Sequence, residues 1–426
     1  MTAPLPLSAQ SLRTADSPIT YFIRKAIETE GLISLAAGLV DESAFPAAEV
    51  AEAVRAIMSE PASAQAALQY GSTQGFPALR KQVLERVCSA DGVKPADVNL
   101  TADDVIITTG SQQMLYLLGE CLFNPGDIVI AEAPSYFVYH SCLSTQGVKV
   151  LTVPMDDGGM DIDALAKLLA ELELSGEIAK LKLIYTVDYF QNPTGLSLAA
   201  DRRPRLLGLA KQYSKTQRIL ILEDAAYREL RYGVPDTVSV KRYDTTNEFV
   251  IYTSTFSKPC APGLKTGYSI VPRDLVHPLL NLKGNHDFGS SNLNQHILSR
   301  LLSTGVFDRH VEKLRGVYAR KRDALLSGLE VAFAGCPGVT WTKSGGGMYV
   351  WLRFPAGFDA GSGGPLVNKA LAEGVLYIPG EFGHKPDATG HVPKNEVRLS
   401  FGLAEPEYLV EGAKRLAKAY RACGVS

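Results

Sequence analysis

The chain has 426 residues, 46% of them hydrophobic, with 43 basic against 45 acidic side chains for a formal net charge of −2. That balance excludes nucleic acid or an anionic membrane as the main partner. No apolar run approaches the roughly 20 residues needed to cross a bilayer, and a chain of this length buries a core large enough for more than one domain.

The first residues, MTAPLPLSAQSLRTADSPIT, lack an apolar stretch behind a basic one, so no secretory signal is expected. Residues 1–45, rich in turn formers, read as an N-terminal arm and part of a small domain. From about residue 100, short β-branched runs alternate with helical spacing. The runs are 104–108 (DVIIT), 127–131 (DIVIA), 149–153 (KVLTV), 182–187 (KLIYTV), 218–222 (RILIL), 249–253 (FVIYT) and 268–271 (YSIV). Helical spacing marks 112–123, 162–174 and 203–213. Apolar runs between helices imply a sheet covered on both faces. The expectation is an α/β fold whose large domain, 46–285, holds a mostly parallel seven-stranded sheet. Residues 286–426 read as a linker helix and a smaller α+β domain, with strands at 339–342, 347–353, 375–378 and 397–401 and a terminal helix at 404–422.

The six cysteines, at 88, 121, 142, 260, 336 and 423, form no CxxC pair, which suits a reduced cytoplasmic setting. His286, His296 and His310 fall in helical stretches without ligand spacing, so no metal is expected.

In open α/β sheets, ligands gather at the carboxyl ends of the strands. After DVIIT, a Gly-Ser turn opens a helix and leaves the backbone N–H groups of Ser111 and Gln112 for a phosphate; an ordinary cap at Ser111 reads equally well. After DIVIA, Tyr136 follows a Pro-Ser turn and is either a stacking face or a core tyrosine. After KLIYTV comes the turn DYFQNPTG, in which Asn192 could donate its amide to an oxyanion. After RILIL, Asp224 sits just past a buried strand, where an unpaired charge is costly. It either caps a following helix or pairs with a cation, and Tyr227 lies one turn on. After FVIYT comes TFSKPCAPGLKTGY, with Thr255, Lys258 and Lys265.

One ligand satisfies these residues together: pyridoxal 5′-phosphate. Its phosphate would meet Ser111, Gln112 and Thr255. Its ring nitrogen would meet Asp224, its ring oxygen Asn192 and Tyr227, and its face Tyr136. Lys258 would hold its aldehyde as a Schiff base and, once released, act as a neutral base in a 1,3-proton shift.

The ordered set NPTG (192–195), DAAY (224–227), TFSKPCAPGLKTGY (255–268) and NEVRLSFG (395–402) resembles the class I/II aminotransferases of the aspartate-aminotransferase superfamily, which have the fold type I architecture. The resemblance implies an enzyme moving an amino group between an L-amino acid and a 2-oxo acid. It casts Lys258 as catalytic base, with Asp224 and Tyr227 beside it. It adds Lys265 to the phosphate ligands, Arg398 as the grip on the substrate carboxylate and Gly38 on a loop over the substrate. It also implies that Tyr70 reaches the cofactor of a neighbouring subunit, hence a homodimer with shared sites. Family members usually carry arginine where this chain has Lys265, which keeps the charge and loses the two-pronged donor. SPITYFIRKAI (17–27) and SGGGMYVWLRFP (344–355) are similar to the α-aminoadipate and kynurenine aminotransferase subgroup. There, an arginine at the position of Thr20 reads a second carboxylate. Thr20 is uncharged, and Arg24 lies one turn away, so aromatic or apolar donors are expected beside aminoadipate-like ones. A β-lyase or a decarboxylase would use the same fold and cofactor. A non-catalytic sensory domain would carry a basic helix-turn-helix module ahead of it, and residues 1–45 are too few and not basic.

Overall fold

This computed structural model describes residues 5–14, 31–387 and 389–424. The whole 17–27 motif, with Thr20 and Arg24, lies outside the described residues. In chain order the strands are β1 (Ile33–Ser34), β2 (Val105–Thr108), β3 (Ile128–Ala133), β4 (Lys149–Asp156), β5 (Gly159–Met160), β6 (Leu181–Thr186), β7 (Leu220–Asp224), β8 (Val250–Thr255), β9 (Gly267–Ile270), β10 (Thr340–Trp341), β11 (Tyr349–Arg353), β12 (Val375–Leu376), β13 (Ile378–Pro379) and β14 (Glu396–Ser400). All seven expected strands of the large sheet are present. An eighth, β5, adds two residues beyond a tight turn, too few to leave a periodic signal. The order is β2-β9-β8-β7-β6-β3-β4-β5. The inner pairs are parallel, β9 runs antiparallel to both neighbours, and β5 folds back on β4.

The apolar runs are continuous because each strand feeds two cores. On β3, Val129 and Ala131 face the helices Ser111–Leu122 and Arg273–Asp287, while Ile128 and Ile130 face Ile162–Leu174 and Arg202–Tyr213. Each such side chain contributes about 1.5–3 kcal/mol by leaving water. The helix Ile162–Leu174 illustrates how sequence sets an element. Asp161 caps it by accepting from the N–H groups of Asp163 and Ala164, and Ile162, Leu165, Leu169 and Leu172 form its buried stripe.

The small sheet runs β10-β11-β14-β13. The run 375–378, expected as one strand, is split. Its first half, β12, pairs in parallel with β1 from the N-terminal region, and its second, β13, pairs with β14. Between them the buried Tyr377 donates its hydroxyl to the Ala360 carbonyl at 3.0 Å. Nothing local in a four-residue apolar run marks which neighbour each half will find.

One buried charge network fixes the loop that follows β6. The Arg203 guanidinium, wholly buried, pairs with the Asp188 carboxylate. It also donates to the Asp188 carbonyl at 2.8 Å and to the Leu198 carbonyl at 3.1 Å. The Glu223 carboxylate lies 3.6 Å away and accepts from the N–H groups of Val240 and Lys241. Removing the cation would strand two buried carboxylates. Arg203→Met is therefore expected to cost about 3–5 kcal/mol, read as a lower midpoint in denaturant unfolding. An unchanged midpoint would show that the loop does not depend on this network.

Candidate active site

The strand ends converge on one cavity of about 360 Å³. Of the residues singled out in the sequence, Gly38, Ser111, Gln112, Tyr136, Asn192, Asp224, Tyr227, Thr255, Lys258, Lys265 and Arg398 all line it. Tyr70 does not: its side chain is 83% exposed and packs edge-to-face on the exposed Phe288, with ring centroids 5.6 Å apart.

At one end lies the start of the helix Ser111–Leu122. Gly110, at φ +70°, is its N-cap residue, and no side chain caps it. The alternative reading of Ser111 as an ordinary cap is therefore corrected. The first N–H groups point at the cavity with the positive end of the helix dipole. On β9, a Cβ at Gly267 would come within 2.5 Å of the Ser111 nitrogen, so only glycine lets the strand pass this turn. Thr255 ends β8, and its hydroxyl accepts from the Ser257 N–H at 3.1 Å. Lys265 is exposed and adopts a left-handed backbone at φ +46°.

In the middle lies Asp224, the last residue of β7. Alternation along the strand puts it on the same face as Leu222, toward Tyr185 of the adjacent β6. Its carboxylate accepts from the Tyr185 hydroxyl at 3.1 Å and from the Ala226 N–H at 3.3 Å. Burial pushes its pKa up to about 6, against the pull of those two bonds. The alternative in which Asp224 caps a helix is corrected: residues 226–229 form a turn, and that turn carries Tyr227. Burial also lifts the Tyr227 phenol well above the ordinary range. Its hydroxyl donates to the Tyr349 hydroxyl at 3.4 Å. Lys258 sits in the turn after β8, and its Nζ donates to the Gly38 carbonyl at 3.1 Å.

At the far end is Arg398 on β14, wholly buried. One terminal nitrogen donates to the Asn192 side-chain oxygen at 3.0 Å, the other to the Ala36 carbonyl at 2.6 Å. The Asn192 amide nitrogen is thereby left to donate elsewhere. The Arg398 Nε is buried without a hydrogen-bond partner. The guanidinium lies over the rings of Tyr349 at 4.5 Å and Phe137 at 5.4 Å.

Tyr349, Tyr185 and Phe137 were not found from the sequence. The Tyr349-Val350-Trp351 alternation on β11 carried a signal, because Trp351 stands directly opposite Arg398 in the ladder. Tyr185 sat inside a strand of buried residues and left none.

Comparison with known proteins decides the family. Residues 30–416 match the family model described as aminotransferase class I and II. The chain belongs to that family. This aminotransferase is 37% identical to aromatic-amino-acid aminotransferase 1 of Thermococcus litoralis, over 92% of this chain and 89% of the relative. It is 33% identical to 2-aminoadipate transaminase of Thermus thermophilus, over 93% and 92% of the two chains. Among solved structures it resembles a kynurenine aminotransferase of Pyrococcus horikoshii in complex with PMP, at 34% identity and a TM-score of 0.88, covering 98% and 97% of the two chains. The aminotransferase is pyridoxal phosphate-dependent and has the fold type I architecture.

The cavity lining fits that cofactor on three observations: an uncapped helix start, a buried carboxylate with a raised pKa, and a lysine whose Nζ donates to the Gly38 carbonyl. A ring cation would relieve the cost of keeping Asp224 ionised. Among the described residues no helix is long and apolar enough to cross a membrane.

Proposed function

We propose that this aminotransferase takes its amino group from an aromatic, branched or aminoadipate-like L-amino acid and gives it to a 2-oxo acid such as 2-oxoglutarate. The observation that carries this reading is Arg398: a buried guanidinium with an unpartnered Nε, facing the cavity from which Lys258 reaches. A planar guanidinium suits the α-carboxylate that every donor shares. Around it the wall is Leu39, Phe137, Val138 and Tyr349, and the only other lysines or arginines lining the cavity among the described residues are Lys258 and Lys265. That wall favours an apolar or aromatic side chain. The names of the relatives, aromatic-amino-acid aminotransferase and 2-aminoadipate transaminase, support the same range.

In this reading Ser111, Gln112, Thr255 and Lys265 hold the cofactor phosphate, Tyr136 its ring face, and Asn192 and Tyr227 its ring oxygen. Asp224 holds the ring nitrogen. When bound, pyridoxal phosphate supplies an electron sink for the charge left when the Cα–H bond breaks. Lys258 takes that proton from the substrate Cα as a neutral amine and later returns one. Arg398 fixes the substrate by its carboxylate, so that only one face of Cα meets Lys258. Gly38 closes the site on the Lys258 side through its carbonyl. The exposure of Tyr70 on its own chain supports the reading that it serves a second copy in a homodimer. Free cysteines at all six positions support a cytoplasmic setting.

The test is a set of half-reactions between the cofactor-loaded protein and each common amino acid plus 2-aminoadipate, read as loss of the visible cofactor band. Aromatic, branched or aminoadipate donors should react about tenfold or more faster than aspartate. A preference for aspartate would overturn the donor reading.

A further inference from the structure

Beyond forming part of the cavity wall, Tyr349 stands where three of the roles above meet. Its ring lies under the Arg398 guanidinium at 4.5 Å. Its hydroxyl stands 3.4 Å from that of Tyr227, with the two rings edge-to-face at 80°. A Cβ at position 38 would fall 2.5 Å from the same hydroxyl, so the glycine there lets the phenol approach the backbone that holds Lys258.

Each of the two hydroxyls has one proton to donate. As the structure stands, Tyr227 donates its proton to Tyr349. A Tyr227 that donates to the cofactor ring oxygen cannot also donate to Tyr349, so the bond between them must reverse. We infer that Tyr349 is a positioning residue for Tyr227: its hydroxyl donates to Tyr227 in the loaded site and thereby aims and strengthens the donation of Tyr227 to the ring oxygen. The inference rests on the reading of Tyr227 given above. A donor chained behind another donor polarises it, and the effect is larger in a buried site.

The surroundings favour a Tyr349 that gives up its proton readily. Burial opposes its ionisation, yet Arg398, Lys258 and the bond from Tyr227 together hold its phenol below the ordinary range. Tyr136, on the cavity wall, and the buried Tyr318 are the other titratable groups that feel it, and desolvation raises both phenols. Tyr227 is raised instead.

The experiment is a double-mutant cycle on cofactor affinity, not on activity. Apoprotein of the unsubstituted chain, Tyr227→Phe, Tyr349→Phe and the double variant is titrated with pyridoxal phosphate, and the dissociation constant is read from absorbance. Tyr349→Phe keeps the ring under Arg398 and removes only the hydroxyl. It should weaken cofactor binding by about 2- to 10-fold, and the double variant should bind no more weakly than Tyr227→Phe alone. Independent, additive losses would overturn the inference. So would a Tyr349→Phe protein with unchanged affinity whose only defect is a raised KM for the donor, since that would place its role at Arg398. If Tyr227→Phe itself binds the cofactor normally, the assignment of Tyr227 fails, and the relay built on it fails too.

Discussion

Lys258→Ala should lower turnover on the order of 10⁴-fold or more, because in the proposed mechanism one side chain both carries the cofactor and moves the proton. The geometry makes the loss selective. Lys258 projects from a turn at the end of β8 into the cavity, and among the described residues its side chain makes one hydrogen bond, to the Gly38 carbonyl at 3.1 Å. It fills no core position, so the unfolding midpoint should stay within about 0.5 kcal/mol of the unsubstituted chain. Borohydride reduction of the loaded protein followed by peptide mapping should label Lys258. Lys265 is the competing lysine, seven residues on; it is exposed, lines the same cavity and is proposed to hold the phosphate. Rapid donor half-reactions in Lys258→Ala, or a label at Lys265, would show that the two roles had been assigned the wrong way round.

Arg398→Ala should raise the KM of every amino donor and lower kcat/KM by roughly 30-fold or more, the cost of leaving a buried carboxylate without its partner. The truncation also strands the Ala36 carbonyl and the Asn192 side-chain oxygen, which now accept from Arg398. Arg398→Lys separates the two effects. It keeps a cation and loses the fork, so its KM should fall between those of the other two proteins. An Arg398→Ala enzyme with an unchanged KM for all donors would mean that the α-carboxylate is held elsewhere.

The site was legible in the sequence wherever chemistry and chain position coincide. Asp224, Lys258 and Asn192 each follow a buried apolar strand, and the sheet's open end is where ligands collect. A charge at such a position is costly without a partner, so a residue type at a strand end already reports a ligand. Nine of the eleven residues that share the cavity come from those ends; Gly38 and Arg398 do not. Lys265 marks the limit of this logic: its charge was visible, whereas its left-handed backbone belongs to the turn that closes 262–264.

The family resemblance supplied Arg398, Gly38 and Tyr70, which no strand-end argument reaches. For Gly38 the structure adds a physical reason, since the Tyr349 hydroxyl occupies the space of a Cβ. Of the two readings left open for Asp224, the cap on a following helix is the one the structure removes: residues 226–229 form a turn, and Ala225 bonds to Thr253 of the neighbouring strand. Tertiary pairing outweighed a weak propensity.

The sequence by itself determined the order of strands and helices, the double-faced sheet and the lysine, aspartate and asparagine at its open end. Those follow from periodicity and from the cost of burying charge, both local properties of the chain. Only the tertiary structure decided that Tyr185 holds Asp224, that the run 375–378 divides between two neighbours, and that Tyr349 closes on Tyr227. Tyr227 and Tyr349 are 122 residues apart, and Asn192 and Arg398 are 206 apart. Periodicity reports that a side chain is buried; which partner it meets is set by how distant elements pack, and no nearby residue records that.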